Sequence, residues 1–117
     1  MSKRGTTLYL EDIKNSIEKI DCYTKGLSFN KFCKNTLVID AVVRNLTIIG
    51  EATKNIPKEI KVKYPQSAWS EAIGMRNKVA HEYFGIDASI LWKTIKEDLP
   101  IYKKQIAKIL DSLEKNG

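Results

Sequence analysis

One short stretch of this chain concentrates the residue types that phosphate chemistry needs. Gly74-Met75-Arg76-Asn77-Lys78-Val79-Ala80-His81-Glu82-Tyr83-Phe84-Gly85 holds a guanidinium, an amide, the single histidine of the sequence and a phenol. Histidine has an ordinary pKa near 6.5 and can take or give a proton close to neutral pH. Arginine stays charged and offers a planar donor fork that matches phosphate oxygens. Such a set suits RNA cleavage, where the 2′-hydroxyl is the nucleophile. A base removes its proton, an acid protonates the departing 5′-oxygen, and a cation steadies the charged phosphorane. The scheme requires no metal and no cofactor.

Spacing constrains how these groups can meet. On a continuous helix Arg76 and Tyr83 align on one line, and Asn77 and His81 form a neighbouring line. Arg76 and His81 then point about 140° apart, too far to grip one phosphate from a straight helix in a single chain. Either the helix unwinds before His81 or the working pair is assembled across an interface. One histidine per chain points the same way, because a base and an acid are both wanted and a twofold dimer would supply two. Each side chain also has an ordinary structural reading. His81 can cap a helix end, Arg76 can pair with Glu71, Glu82 or an interface carboxylate, Asn77 can bond a helix end, and Tyr83 can be a core ring with a wet hydroxyl.

The elements that must position this stretch read as helices. Leu10, Ile13, Ile17 and Ile20 give Leu8 to about Cys22 one apolar stripe, with Thr6 or Thr7 as cap and Gly26 closing the segment. Ser28 to Phe32 reads as a short turn of helix. A second long helix spans about Asn35 to Asn55, and Leu37, Val38, Ile39, Ala41, Val42, Val43, Leu46, Ile48, Ile49 and Ala52 nearly encircle it. A helix apolar on most sides is covered on more than one, so a second copy of the chain is expected against it. Asp40, Arg44 and Glu51 share one line of this helix, read first as a structural ion-pair stripe and otherwise as a network orienting Arg76 or fixing a dimer. Pro57 starts a short helix through Lys63. Ser67 or Ser70 opens a third long helix, Trp69 to about Ala80. Asp87 caps a fourth, which Pro100 bends or restarts. The expectation is an all-α fold: one domain, residues 1–117, built as a small antiparallel bundle of four main helices.

Composition sets wider bounds. The chain has 117 residues, 43% hydrophobic and 29% charged, which is globular rather than disordered composition. Its 20 Lys and Arg against 14 Asp and Glu give a net charge of +6, which favours polyanions. Lysines 54, 58, 61, 63, 103, 104 and 108 either flank an RNA path or form solvated faces. Cys22 and Cys33 are the only cysteines, too few with one histidine for a structural zinc site. With no apolar run of signal-peptide or membrane-span length, the expected location is cytoplasmic, with no membrane partner.

Arg76-Asn77-x-x-x-His81-x-Tyr83 resembles the R-N-x-x-x-H-x-Y signature of the HepT branch of the HEPN superfamily. The likeness extends to Tyr9-Leu10-Glu11-Asp12-Ile13, to the stretch from Asp40 to Ala52, to Trp69-x-Glu71-x-Ile73-Gly74-Met75, and to Phe84-Gly85-Ile86-Asp87. It thus covers nearly the whole chain. The resemblance implies a HEPN-type bundle and a metal-independent endoribonuclease whose cleft lies between two subunits of a homodimer. Arg76 and His81 would be catalytic, with Asn77 and Tyr83 supporting them. It also implies the toxin of a type II or type VII-like toxin–antitoxin pair. The antitoxin would be an MNT nucleotidyltransferase that transfers AMP to Tyr83. A different class remains open beside it: a non-catalytic HEPN subunit presenting nucleotide or substrate to a separate nucleotidyltransferase.

Overall fold

A computed structural model describes residues 3–82 and 85–116. The first helix, α1, runs Lys3–Thr24, and its stripe of Leu10, Ile13, Ile17 and Ile20 is fully buried. Each such side chain contributes roughly 1.5–3 kcal/mol on burial. The helix begins earlier than its stripe suggests. Thr6 and Thr7 lie in its body, not at a cap, and Thr6 is itself buried, so packing holds this turn. At the far end the Thr24 hydroxyl donates to the Ile20 carbonyl at 2.8 Å, and Gly26 adopts a left-handed φ of 78° to turn the chain.

The short α2 (Phe29–Lys34) buries Phe32 and is capped by Ser28, whose hydroxyl accepts from the Lys31 N–H. Asn35 ends α2 and caps the next helix, its side chain accepting from the Val38 N–H at 3.1 Å. That helix, α3 (Thr36–Lys54), buries Val42, Val43, Leu46, Ile49 and Ala52. The remainder of its apolar girdle is only partly covered by this chain. Val38, Ile39, Ala41 and Ile48 are half-buried, and Leu37 is 79% exposed.

Pro57 leads into the short α4 (Lys58–Lys63), and α5 follows over Trp69–His81. Neither Ser67 nor Ser70 caps α5, contrary to expectation. Ala68 occupies that position with no side-chain cap, and its N–H is taken instead by Gln105 at 2.9 Å. Gln105 thus ties the residue that leads into α5 to α7, while the first turn of α5 goes without a side-chain cap. Asp87 does cap α6 (Ala88–Lys93), accepting from the Ser89 N–H at 2.8 Å. Between α6 and α7 (Leu99–Asn116), Thr94–Asp98 forms a π-helical turn in which the Leu99 N–H reaches Thr94. Pro100 lacks an N–H, and with the wider turn just before it helical structure runs without a gap from α6 into α7, so the helix does not restart there.

Helix α3 packs between α1 and α5, while α7 lies along α1 and α2 bridges α3 and α6. Helices α1 and α7 are antiparallel. Lys103 meets Glu18 and Asp21, while Thr7 and Glu11 lie with Leu110, Asp111 and Glu114. The 64–69 stretch also runs against α7, pairing Tyr64 with Ser112 and Trp69 with Tyr102. Across the core the Tyr102 hydroxyl sits 2.7 Å from that of Thr53. Thr53 already donates to the Ile49 carbonyl, so Tyr102 is the donor. Burial raises the Tyr102 phenol well above its ordinary pKa and keeps it protonated. The result is an all-α bundle of four main helices, with no strand among the described residues. Among the described residues no helix is long and apolar enough to cross a membrane.

Candidate functional site

The site is built where α3 and α5 come closest. A Cβ placed on Gly50 would fall 2.1 Å from Cβ of Arg76 and 3.1 Å from the Ala72 carbonyl oxygen. Only a residue without a side chain fits there, and its absence lets α5 settle directly on α3. The next residue along α3, Glu51, then reaches Arg76. Oε1 of Glu51 lies 2.7 Å from Nε of Arg76, and both touching atoms are shut off from water, although the side chains are 45% and 29% exposed. The contact is a close ion pair whose atoms are not aligned as a hydrogen bond. On the other side, Nη1 of Arg76 donates to Oδ1 of Asn77 at 3.1 Å.

The guanidinium is therefore held from two directions. Its charge is partly answered by Glu51, and its Nη2 edge has no partner among the described residues. Half-exposed ion pairs of this kind are worth at most about 1 kcal/mol, so the contact does more to fix direction than to stabilise the fold. An arginine with one edge fixed and one edge open is suited to receive an oxyanion.

His81 is the last residue of α5, exposed, with no hydrogen-bond partner among the described residues. Lys78 and Glu82 form an i,i+4 ion pair at 2.9 Å beside it. Arg76 thus pairs with neither Glu71 nor Glu82, the carboxylates nearest in sequence. Because α5 stays helical through His81, the helix does not unwind between the two residues, and they leave it about 140° apart. The structure brings together Arg76, Asn77 and Glu51, and leaves His81 apart from them. Tyr83 lies outside the described residues.

Sequence reasoning underweighted α3. Asp40, Arg44 and Glu51 do not form the expected stripe. Among the described residues Asp40 and Arg44 make no ion pair, and only Glu51 is engaged, with Arg76 of another helix. Gly50 went unassigned, although a glycine mid-helix beside a carboxylate was the available signal for a close crossing.

Fold and site together define an all-α bundle of HEPN type that carries a fixed arginine and an open histidine on one helix. The Ribonuclease HepT-like family matches residues 13–109, and the chain belongs to that family. A protein of Thermococcus cleftensis named "Probable ribonuclease HepT" is 45% identical over 92% of this chain and 97% of its own length. One of Methanocaldococcus jannaschii named "Putative RNase MJ1380" is 42% identical over 91% of this chain and 97% of its own. One of Caldanaerobacter subterraneus named "Putative RNase TTE0752" is 45% identical over 87% and 91%. No solved structure matches the chain.

Proposed function

We propose that this protein is a metal-independent endoribonuclease that works as a homodimer, with Arg76 and His81 as its catalytic residues. The observation that carries this reading is the Arg76 guanidinium, fixed by Glu51 and Asn77 with an edge left open, in a chain of the Ribonuclease HepT-like family. His81 of one copy takes the proton from the ribose 2′-hydroxyl. The 2′-oxygen forms a bond to phosphorus, and the bond to the 5′-oxygen breaks. That oxygen leaves with a proton from a second His81, and Arg76 neutralises the phosphorane charge between them. The products are a 2′,3′-cyclic phosphate and a 5′-hydroxyl end. Divergence of Arg76 and His81 on a straight α5 supports assembly of the site from two copies, as does the uncovered apolar surface of α3 around Leu37.

In this reading the chain is the toxin of a toxin–antitoxin pair, and an MNT nucleotidyltransferase silences it by transferring AMP to Tyr83. A nucleotide phosphate placed two residues from His81 would bring negative charge and bulk to a site built for RNA phosphate. The test compares wild type with His81→Ala on transfer RNA and total RNA in EDTA, both expressed without a nucleotidyltransferase. Cleavage lost in the variant supports the reading. Cleavage by both removes His81 from the chemistry, and cleavage by neither, with both folded, points to a non-catalytic binding subunit.

A further inference from the structure

A groove of about 340 Å³ lies at the other end of α5 from His81, where the 64–68 connection meets α7. Lys63 and Lys108 stand on its walls, and no carboxylate lines it. The connection itself lies outside the helices, yet it is firmly held. The Tyr64 carbonyl accepts from the Trp69 indole N–H at 2.9 Å and from the Ser67 N–H at 3.2 Å. Gln105 grips the connection twice, accepting from the Ala68 N–H and donating to the Gln66 carbonyl at 3.2 Å. The Tyr64 hydroxyl donates to Ser112 at 3.2 Å. A wall fixed in advance spares a ligand the cost of ordering it.

The charge above this wall is uncompensated. Lys78, Lys103 and Lys115 each pair with a carboxylate, whereas Lys63 and Lys108 make no ion pair among the described residues. Asp111, the acid nearest to Lys108 on α7, is taken by Lys115 at 3.1 Å. The Lys63 ammonium lies over the Tyr64 ring, 5.8 Å from its centre, so an aromatic face backs this charge and no carboxylate among the described residues answers it. Two lysines without a carboxylate partner on an open groove suit the phosphates of a nucleic-acid strand.

We propose that this groove binds the backbone of a single-stranded part of the RNA substrate, with Lys63 and Lys108 each facing a phosphate. It rests on the ribonuclease reading and extends it, since Trp69 and His81 are separated by about 18 Å along α5.

The experiment measures binding of a 2′-O-methyl oligonucleotide, which lacks the nucleophile, by fluorescence anisotropy across a salt series. Wild type is compared with the double variant Lys63→Gln/Lys108→Gln, with its Arg/Arg counterpart, and with Lys103→Gln as a paired-lysine control. The Gln/Gln variant should bind about tenfold more weakly near 0.1 M salt, and its log–log salt slope should be shallower by about 1.4, two single-strand phosphate contacts. Arg/Arg and Lys103→Gln should behave as wild type. A Gln/Gln variant with unchanged affinity and slope overturns the proposal, as does equal displacement of the strand by AMP at matched phosphate concentration, which would make the groove a mononucleotide site. Lysine-dependent binding by a protein that cuts no RNA would keep the groove as a strand site and overturn only the ribonuclease reading.

Discussion

Arg76 and His81 stand roughly one and a half turns apart on the same helix and live in opposite surroundings. Arg76 emerges at the closest approach of α3 and α5, over Gly50, with Glu51 and Asn77 holding its head. His81 sits at the helix end, exposed and without a hydrogen-bond partner among the described residues. One residue is positioned by the fold of its own chain, whereas nothing described in the chain positions the other. A bulky cation that must meet a phosphate from a set direction gains from being preorganised. In the proposed homodimer, a proton carrier whose counterpart belongs to the second copy would be completed only on association.

The sharpest way to break this comparison is at His81. Replacing it with Ala should lower RNA cleavage by about 10²–10⁴-fold, the usual worth of a general acid–base group. An exposed residue without partners should leave the melting temperature nearly unchanged, so a large thermal shift in calorimetry would mean that His81 is structural after all. Mixing wild type with His81→Ala in equal amounts asks whether the two histidines come from two copies. With subunits exchanged by partial denaturation and refolding, half the dimers are mixed and lack one of the two histidines, so activity should fall from about half to about a quarter of wild type. Activity that stays at half, with mixed dimers confirmed by native mass spectrometry, would place the working groups within one chain.

Gly50→Ala attacks the arginine side of the comparison. The added methyl has no room, so α5 must shift, at a cost on the order of 1–3 kcal/mol, with cleavage reduced as Arg76 is displaced. Urea unfolding and the nuclease assay should move together, and a variant as stable and active as wild type would show that the crossing is looser than described. Glu51→Gln separates direction from charge. A freed guanidinium binds phosphate at least as well but without its fixed aim, so kcat should fall about tenfold while KM does not rise. A raised KM with unchanged kcat would assign Glu51 to substrate binding instead.

The smallest effect concerns the start of α6, just after the end of the motif. Hydrogen bonds from Ser89 hold the Asp87 carboxyl below its ordinary pKa. A group depressed in the folded state contributes stability above its unfolded value, near 3.9, and loses it as pH falls through the folded value. Asp87→Asn keeps the cap at neutral pH and should flatten the acid side of the melting profile. An unchanged acid limb would show that other carboxylates dominate there.

The helices were legible because burial imposes periodicity. Leu10, Ile13, Ile17 and Ile20 mark α1 by spacing alone, Asp87 marks a helix start by side-chain chemistry, and the bounds of α3 lie within a residue of the expected ones. Legibility failed where packing decided a local detail. The connection into α5 is held by Gln105 with no serine cap, and the turn before Pro100 widens into a π-helix. The candidate site divides in the same way. The motif residues Arg76, Asn77 and His81 could be singled out by type and spacing, because functional groups and helical angles are properties of the local chain. Which carboxylate meets Arg76 stayed open among Glu71, Glu82, an interface carboxylate and the α3 line that holds Glu51. Glu71 and Glu82 are near in sequence, but the missing side chain of Gly50 lets two helices touch and brings Glu51 to the guanidinium instead. A single chain's sequence determines the elements, their faces and the chemistry they carry. The partner of each charge is decided by how those faces pack, since helix crossings depend on side-chain volumes contributed from far apart along the chain.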